Sequence, residues 1–286
     1  MQRIAHVNGR FVPLEEAQVS ILDRGFLFAD GVYEVTAVID GRLIDFEPHA
    51  ARLYRSLAEI ALAPPVDEAR LRALHEEMVA RNELTEGLVY LQITRGQAER
   101  DFAYPKVATP SLVMFTQVKS VVDNPAAETG IRVVCVPDLR WKRRDIKSVA
   151  LLAQVMAKQA AAEAGAGEAW MIEDGLVTEG SSSTAFIVTG DGRIVTRPLS
   201  NAVLPGITRV AVMRLAQETQ LIVEERAFTL GEALAASEAF ITSASSFVMP
   251  VVEIDGVAIG SGRPGPMTRR LRELYLAAAR EPVGAH

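Results

Sequence analysis

The sequence predicts an α+β protein of two domains, with hairpin-rich sheets flanked by helices, and three observations carry that prediction. Asn-Gly or Asp-Gly steps separate apolar runs at Asn8-Gly9, Asp40-Gly41, Asp174-Gly175, Asp191-Gly192 and Asp255-Gly256. A tight two-residue hairpin needs positive φ at both central residues, which Asn, Asp and Gly tolerate, so each step predicts two antiparallel strands joined end to end. Amphipathic segments of helical period lie between these hairpins. A polar stretch near residue 120 then divides the chain into two parts of domain size.

Taken in order, His49–Ala61 places Leu53, Leu57 and Ile60 on one helical face, and Ala69–Arg81 does the same with Leu71, Leu74 and Met78. Both helices are expected to pack on a sheet. A smaller N-terminal α+β domain is expected over 1–119, a linker over 120–130 around Asp123-Asn124-Pro125, and a larger C-terminal α+β domain over 131–286. The apolar run Ile131–Val136 reads as a buried strand containing Cys135. A helix over about Ser148–Ala164, rich in Ala, Leu and Met, is stopped by Gly165. Another opens at Gly206-Ile207-Thr208, with Val212, Leu215 and Ala216 on its buried face. No Gly-x-Gly-x-x-Gly follows a strand, which removes the common dinucleotide-binding reading.

The bulk chemistry excludes several function classes. The chain has 286 residues, with Lys plus Arg 30 against Asp plus Glu 36 and a net charge of -6. Phosphate-backbone binding needs a basic surface, so no nucleic-acid partner is expected. The dense basic run Arg140–Arg144 reads as a solvated loop beside an anionic site. The lone Cys135 precludes an internal disulfide and fits a reducing compartment. Met1–His6 has no apolar stretch of signal-peptide length, and no run approaches a membrane span, so a cytoplasmic protein without membrane contact is expected. His6, His49, His75 and His286 show no metal-ligand spacing, and no metal is expected.

The chemistry-bearing residues are Lys147, in Asp145-Ile146-Lys147-Ser148, and the segment Thr178-Glu179-Gly180-Ser181-Ser182-Ser183. An amine able to form a Schiff base, followed by a carboxylate able to face a ring nitrogen, is what pyridoxal-phosphate chemistry needs. Taken alone, each residue also fits a surface position, a lysine at a helix start and a glutamate at a hairpin end.

Further segments bear on this choice: Asp23-Arg24-Gly25-Phe26, Phe28-Ala29-Asp30-Gly31-Val32-Tyr33-Glu34-Val35, Arg52-Leu53, Thr94-Arg95-Gly96, Gly206-Ile207-Thr208-Arg209 and Thr242-Ser243. In order and spacing the chain resembles the fold-type IV pyridoxal-phosphate enzymes over nearly its whole length, most closely the D-amino-acid transaminases. The resemblance implies a homodimer that uses pyridoxal 5'-phosphate to move an amino group from a D-amino acid to a 2-oxo acid by double displacement. It assigns Lys147 the Schiff base and the proton transfer at Cα, and Glu179 the pyridine nitrogen. Ser182 would seat a cofactor edge and Leu204 would pack on the ring. Arg52, Gly206, Ile207, Thr208, Ser243 and the backbone of Ala244 would hold the phosphate, although a hydroxyl residue is common where Ala244 stands. Tyr33 and Val35 match the substrate pocket. Arg100 matches an arginine that grips the substrate carboxylate from a loop reaching into the partner subunit's site. Phe102 departs from the pattern, which usually has histidine there, and Thr184 stands where Asn is frequent. The competing readings are an (R)-selective amine transaminase, a branched-chain aminotransferase, an aminodeoxychorismate-type lyase and a cofactor-binding protein without turnover. Val32-Tyr33-Glu34-Val35 is unlike the branched-chain group's Phe-Glu-Gly, and Tyr33 and Arg100 count against the lyase.

Overall fold

The structure is a computed structural model that describes residues 2–281; Met1 and His286, which entered the sequence reading, lie outside it. The protein is α+β, and its residues divide into two compact units. The first runs to Val121 and also takes in Ile146–Ala150; the second comprises Val122–Asp145 and the chain from Leu151. This differs from the expected contiguous halves, because a short excursion from the second half groups with the first unit. The expected linker also contains a helical turn, Pro125–Thr129, capped by the Asn124 side chain and burying Ala127.

The first unit contains β1 (Ile4–Val7), β2 (Arg10–Pro13), α1 (Arg24–Phe28), β3 (Gly31–Ile39), β4 (Arg42–Leu43), α2 (Phe46–Glu59), α3 (Glu68–Arg81), β5 (Glu86–Thr94) and β6 (Ser111–Val118). Its antiparallel sheet has the strand order β2-β1-β6-β5-β3-β4. Leu53 and Leu57 of α2 and Leu71, Leu74 and Met78 of α3 meet Val32, Val89 and Leu91 of the sheet in one core. The helical spacing of those residues puts them on single faces. Alternation along β3 turns Val32, Glu34 and Thr36 toward that core and leaves Tyr33 and Val35 half-buried on the other face.

The second unit contains α4 (Pro125–Thr129), β7 (Ile131–Pro137), α5 (Leu152–Glu163), β8 (Glu168–Glu173), β9 (Leu176–Gly180), β10 (Thr184–Val188), β11 (Ile194–Thr196), α6 (Ile207–Glu218), β12 (Val223–Glu225), α7 (Leu230–Leu234), β13 (Glu238–Ser243), β14 (Phe247–Ile254), β15 (Val257–Ala258) and α8 (Pro266–Arg280). Its sheet has the order β12-β11-β10-β13-β14-β7-β8-β9, with β15 beside β14. Three neighbouring pairs, β11/β12, β14/β7 and β7/β8, are parallel. The strands surround Trp170, Val177, Ile187, Phe228 and Ile241.

All five Asn-Gly or Asp-Gly steps lie between paired strands. Asn8-Gly9, Asp40-Gly41, Asp174-Gly175 and Asp255-Gly256 have positive φ at both residues, the geometry of a tight two-residue turn. At the fifth only Gly192 is left-handed, and the connection runs over 189–193, closed by the Thr189 N–H donating to the Arg193 carbonyl at 2.9 Å. The helix expected from Ser148 begins at Leu152 instead. Val149 N–H donates to the Gly31 carbonyl at 3.1 Å, and Ser148 bridges Val32, so this stretch is spent extending β3's edge before the helix can start. Cys135 is half-buried on β7, and burial pushes its thiol pKa up. Among the described residues no helix is long and apolar enough to cross a membrane.

Candidate active site

Lys147 sits in the excursion that joins the first unit. Its carbonyl accepts from Tyr33 N–H at 2.9 Å, and its own N–H donates to Ser56 Oγ at 3.3 Å. Ile146 beside it is buried in the core, so the backbone on both sides is fixed. The amine lies 4.1 Å from the centroid of the Tyr33 ring. Tyr33 stacks on Tyr90, which stacks on Phe115, at centroid distances of 5.7 and 4.7 Å. Burial pushes the Tyr90 hydroxyl up to about 12. Lys147 is half-buried and Nζ has no ion-pair partner among the described residues. A lysine without a carboxylate neighbour is not committed to an ion pair and can be turned toward an incoming carbonyl. Val35 shares the Tyr33 face of β3, opposite Tyr90.

On the other face of β3, Arg52 of α2 forms a fork with Glu34, Nε to Oε1 at 2.7 Å and Nη2 to Oε2 at 2.8 Å. His49 Nδ1 lies 2.8 Å from the same carboxylate. Burial alone would raise the Glu34 pKa, but the Arg52 charge and these hydrogen bonds overcome it and hold the group well below the usual carboxylate range. Removing one partner of such a buried pair leaves an uncompensated charge and costs about 3–5 kcal/mol. Glu34 was visible in sequence only as part of the Val32–Val35 motif; its pairing with Arg52, eighteen residues on, had no local signal.

Arg100 and Phe102 occupy an exposed loop between β5 and β6. Phe102 is 79% exposed. The Arg100 guanidinium lies 5.3 Å from the Phe28 ring centroid and 5.6 Å from that of Phe102.

In the second unit Glu179 is the penultimate residue of β9, with its carboxylate buried. Arg140 Nη1 donates to Glu179 Oε1, and Leu204 N–H lies 3.2 Å from both oxygens. Burial pushes the Glu179 pKa up, and Arg140 and Leu204 only partly pull it back. Lone pairs of Oε2 remain for a further donor. Arg140 also forks onto Asp138, at 2.9 and 2.6 Å, and Thr178 Oγ1 donates to Asp138 at 2.6 Å. Arg144 continues the chain of charges to Glu173 at 2.7 and 2.9 Å. The basic run is thus only in part the solvated loop expected: Lys142 is exposed, but Arg140 and Arg144 have buried side chains because Asp138, Glu173 and Glu179 converge on them.

The serine cluster is divided. Gly180 N–H donates to the Ser183 carbonyl at 2.7 Å, closing a tight turn. The Ser181 and Ser183 hydroxyls donate to the buried Glu168, while Ser182 is exposed and lies 3.4 Å from the same carboxylate.

Register brings a set of anion-binding groups to one end of the second sheet. Thr184 at the start of β10 faces Thr242 near the end of β13, next to Ser243 and Ala244. Gly206 is the N-cap of α6 without a side-chain cap, and a Cβ there would stand 2.8 Å from Thr184 Oγ1, so only glycine lets the helix start approach this closely. The first N–H groups of a helix have no intrahelical acceptor, and those at Ile207 and Thr208 open a twelve-residue helix. Thr208 is buried, and the buried Thr242 Oγ1 has no hydrogen-bond partner among the described residues. Ser243 Oγ lies 2.7 Å from Ser246 Oγ and 3.4 Å from Ser245 Oγ. Those two hydroxyls, which sequence reasoning missed, stand beside Ala244. Unmet backbone donors, an orphaned hydroxyl and further serines suit a phosphate group.

A family model described as amino-transferase class IV matches residues 31–254, the span from β3 to β14 that carries this geometry. The chain belongs to that family. It is 44% identical over 267 residues to a D-alanine aminotransferase of Bacillus licheniformis, covering 93% of each chain. A D-alanine aminotransferase of Staphylococcus aureus (strain MSSA476) is 39% identical over 270 residues, 93% of this chain and 94% of the relative. Among solved structures, a T.th. branched-chain amino acid aminotransferase with pyridoxamine 5'-phosphate superposes with a TM-score of 0.90 at 27% identity, covering 99% of this chain and 96% of that one. The branched-chain aminotransferase of Thermoproteus uzoniensis gives 0.89 at 26% identity, covering 98% and 95%. This class IV aminotransferase therefore shares the fold-type IV architecture with both.

Proposed function

We propose that this class IV aminotransferase uses pyridoxal 5'-phosphate to transfer an amino group from a D-amino acid to a 2-oxo acid by double displacement. The observation that carries the reading is the half-buried Lys147, its main chain bonded to β3 and its amine without an ion-pair partner among the described residues. The D-alanine aminotransferase relatives, at 39% and 44% identity, favour it over the branched-chain alternative, whose structures share the fold at 26% and 27%.

When bound, pyridoxal phosphate supplies an electrophilic carbonyl and a protonated ring that accepts electron density from the substrate Cα. Lys147 Nζ would be the amine that holds the cofactor's carbonyl carbon, and once free of it would be the base that carries a proton from and to the substrate Cα. Glu179 would accept a hydrogen bond from the ring nitrogen and favour its protonated form, and the Arg140 charge opposes the rise that burial gives the Glu179 pKa. Leu204 would lie against the ring and Ser182 would border it. The N–H groups of Ile207 and Thr208, with Gly206, Ser243 and the backbone of Ala244, would hold the phosphate, and the resemblance assigns the Arg52 guanidinium the same role. Tyr33 and Val35 wall the side-chain pocket, and Arg100 pairs with the substrate carboxylate. The donor leaves as a 2-oxo acid before the acceptor enters.

The proposal includes a homodimer, from the resemblance, and a cytoplasmic setting, from the lone Cys135. Phe102 favours one second reading, activity on (R)-amines, since an exposed ring replaces the usual carboxylate donor. A panel of D-amino acids, L-amino acids and (R)-amines, followed by cofactor absorbance through a single half-reaction, tests both. D-amino acids are expected to react fastest; faster reaction of L-amino acids would overturn the assignment.

A further inference from the structure

We propose that Arg24 is a positioning residue for substrate binding: it docks the tip of the 97–104 loop so that Arg100 is presented in one orientation to the substrate carboxylate. This rests on the reading of Arg100 given above and adds the device that makes that exposed arginine usable.

Arg24, 3% exposed, spends each arm of its guanidinium on a different acceptor. Nε donates to Asp30 Oδ2 at 2.8 Å, Nη1 to the Asp101 carbonyl at 2.6 Å, and Nη2 to the Phe102 carbonyl at 3.3 Å. The two loop carbonyls belong to the two residues that follow Arg100. Asp30 Oδ2 also accepts from Arg95 Nε at 2.8 Å. Arg95 is fixed in turn by the Ile60 and Ala61 carbonyls, at 2.6 and 3.2 Å, and its guanidinium lies 3.5 Å from the centroid of the Tyr104 ring. One buried carboxylate thus anchors two arginines, and each grips the loop on one side.

The base of the loop is fixed as well. Gly96 has φ +83, and a Cβ there would come 1.9 Å from the Thr109 carbonyl, so only glycine lets the two stems close. Arg24 N–H donates to the Gly96 carbonyl at 2.8 Å and Ala98 N–H to the Leu22 carbonyl at 3.3 Å. Between this base and the docked tip lies Arg100. Its guanidinium sits over Phe28 and Phe102, which contact each other at a centroid distance of 5.4 Å, and Arg24 lies 4.8 Å from the same Phe28 ring. Holding the Phe102 backbone therefore holds the aromatic pair on which Arg100 rests. Five donors in a rigid plane can span these acceptors; a lysine, as a single point charge, cannot.

The test uses the cofactor-loaded enzyme with D-alanine, in the variants Arg24→Lys, Tyr104→Leu, Arg100→Ala and Arg24→Lys/Arg100→Ala. Grip on a carboxylate present in both ground and transition states acts on KM, so Arg24→Lys is expected to raise KM about tenfold and leave kcat within about twofold. Bound-cofactor absorbance should stay unchanged. Tyr104→Leu, at a 55% exposed position that tolerates substitution, is expected to raise KM in the same sense by about threefold. Because Arg24 acts through Arg100, the double variant should be no worse than Arg100→Ala alone. An Arg24→Lys effect that falls on kcat or on cofactor absorbance, or that multiplies with Arg100→Ala, overturns the proposal. So does an unchanged KM in Arg24→Lys, or in Tyr104→Leu should Arg24→Lys fail to fold, while Arg100→Ala raises it. An unchanged KM in Arg100→Ala instead overturns the Arg100 reading, and the positioning role with it.

Discussion

Arg140 donates to the carboxylate of Glu179, thirty-nine residues further along the chain, and holds Asp138 with its other edge. Asp138 is itself held by Thr178, the residue before Glu179. Glu179 is thereby fixed twice, through its own oxygens and through its neighbour's hydroxyl. A buried carboxylate left alone would take up a proton and could no longer keep a pyridine nitrogen charged.

The first prediction tests this coupling through pH. Burial raises the Glu179 pKa, and the Arg140 charge opposes that rise. Arg140→Met removes the opposing charge, so the carboxylate needs a higher pH to ionise. The acid limb of the half-reaction rate with D-alanine should move to higher pH. An acid limb at the parent's position would show that Arg140 does not govern Glu179.

Glu179→Gln separates proton transfer from binding. The amide cannot keep a ring nitrogen protonated, whereas the phosphate donors around Thr208 and Ser243 are untouched. The half-reaction with D-alanine is expected to slow by about a hundredfold or more, the scale of losing one electrostatic contributor. The cofactor dissociation constant should change far less. An unchanged rate would remove Glu179 from the chemistry.

Lys147→Ala deletes the amine while leaving the backbone bonds to Tyr33 and Ser56, which use main-chain atoms only. Multiple turnovers should disappear and the fold persist, seen as a retained unfolding transition. Borohydride reduction of the parent enzyme followed by peptide mapping should label Lys147; label on another lysine would move the site.

Local chemistry was legible and convergence was not. Asn8-Gly9 and Asp255-Gly256 announce their hairpins because a two-residue turn is decided by the φ preferences of the residues in it. Leu53 and Leu57 likewise mark their buried face by spacing alone. The start of α5 was misplaced because Ser148 and Val149 are extended by pairing with residues more than a hundred positions earlier, which no local window senses. Arg140 and Arg144 looked solvated for the same reason: Glu173 and Glu179 come to them from other strands. The roles proposed for Lys147 and Glu179 rest chiefly on the resemblance, since a half-buried lysine and a surface lysine read alike in sequence.

Acid sensitivity offers a prediction outside the site. Burial lowers the His75 pKa to about 4 from 6.5, and its Nδ1 donates to the Leu71 carbonyl at 2.9 Å. Below pH 6.5 the unfolded chain binds a proton that the folded chain refuses until about pH 4, so stability falls as pH drops through that window, by up to roughly 3 kcal/mol. Arg72 and His49 oppose protonation of His75 and Glu34 favours it. The lowered pKa values of His49 and Glu34 add losses of the same sign. His75→Gln should therefore flatten, without abolishing, the decline in unfolding free energy between pH 7 and 5. An equally steep decline would assign the acid sensitivity elsewhere.

The last prediction concerns Phe102. Its ring is 79% exposed and touches Phe28, so replacing it costs little core packing, and stability should change by no more than about 0.5 kcal/mol. Besides its contact with Arg100, its functional weight lies in what it does not donate. If Arg100 alone meets the substrate carboxylate, as proposed, one hydrogen bond to a charged group is missing, worth about 1.5–3 kcal/mol. Phe102→His should therefore raise kcat/KM for D-alanine about tenfold to a hundredfold. An apolar ring is also cheaper to bury against a donor that lacks a carboxylate, so the same change should lower activity toward (R)-1-phenylethylamine. Arg100→Ala should remove most of the preference for D-alanine over that amine. If Phe102→His and Arg100→Ala both keep the parent's kcat/KM for D-alanine, the loop does not bind the carboxylate, and the half-buried Tyr33 face of β3 becomes the place to seek its donor.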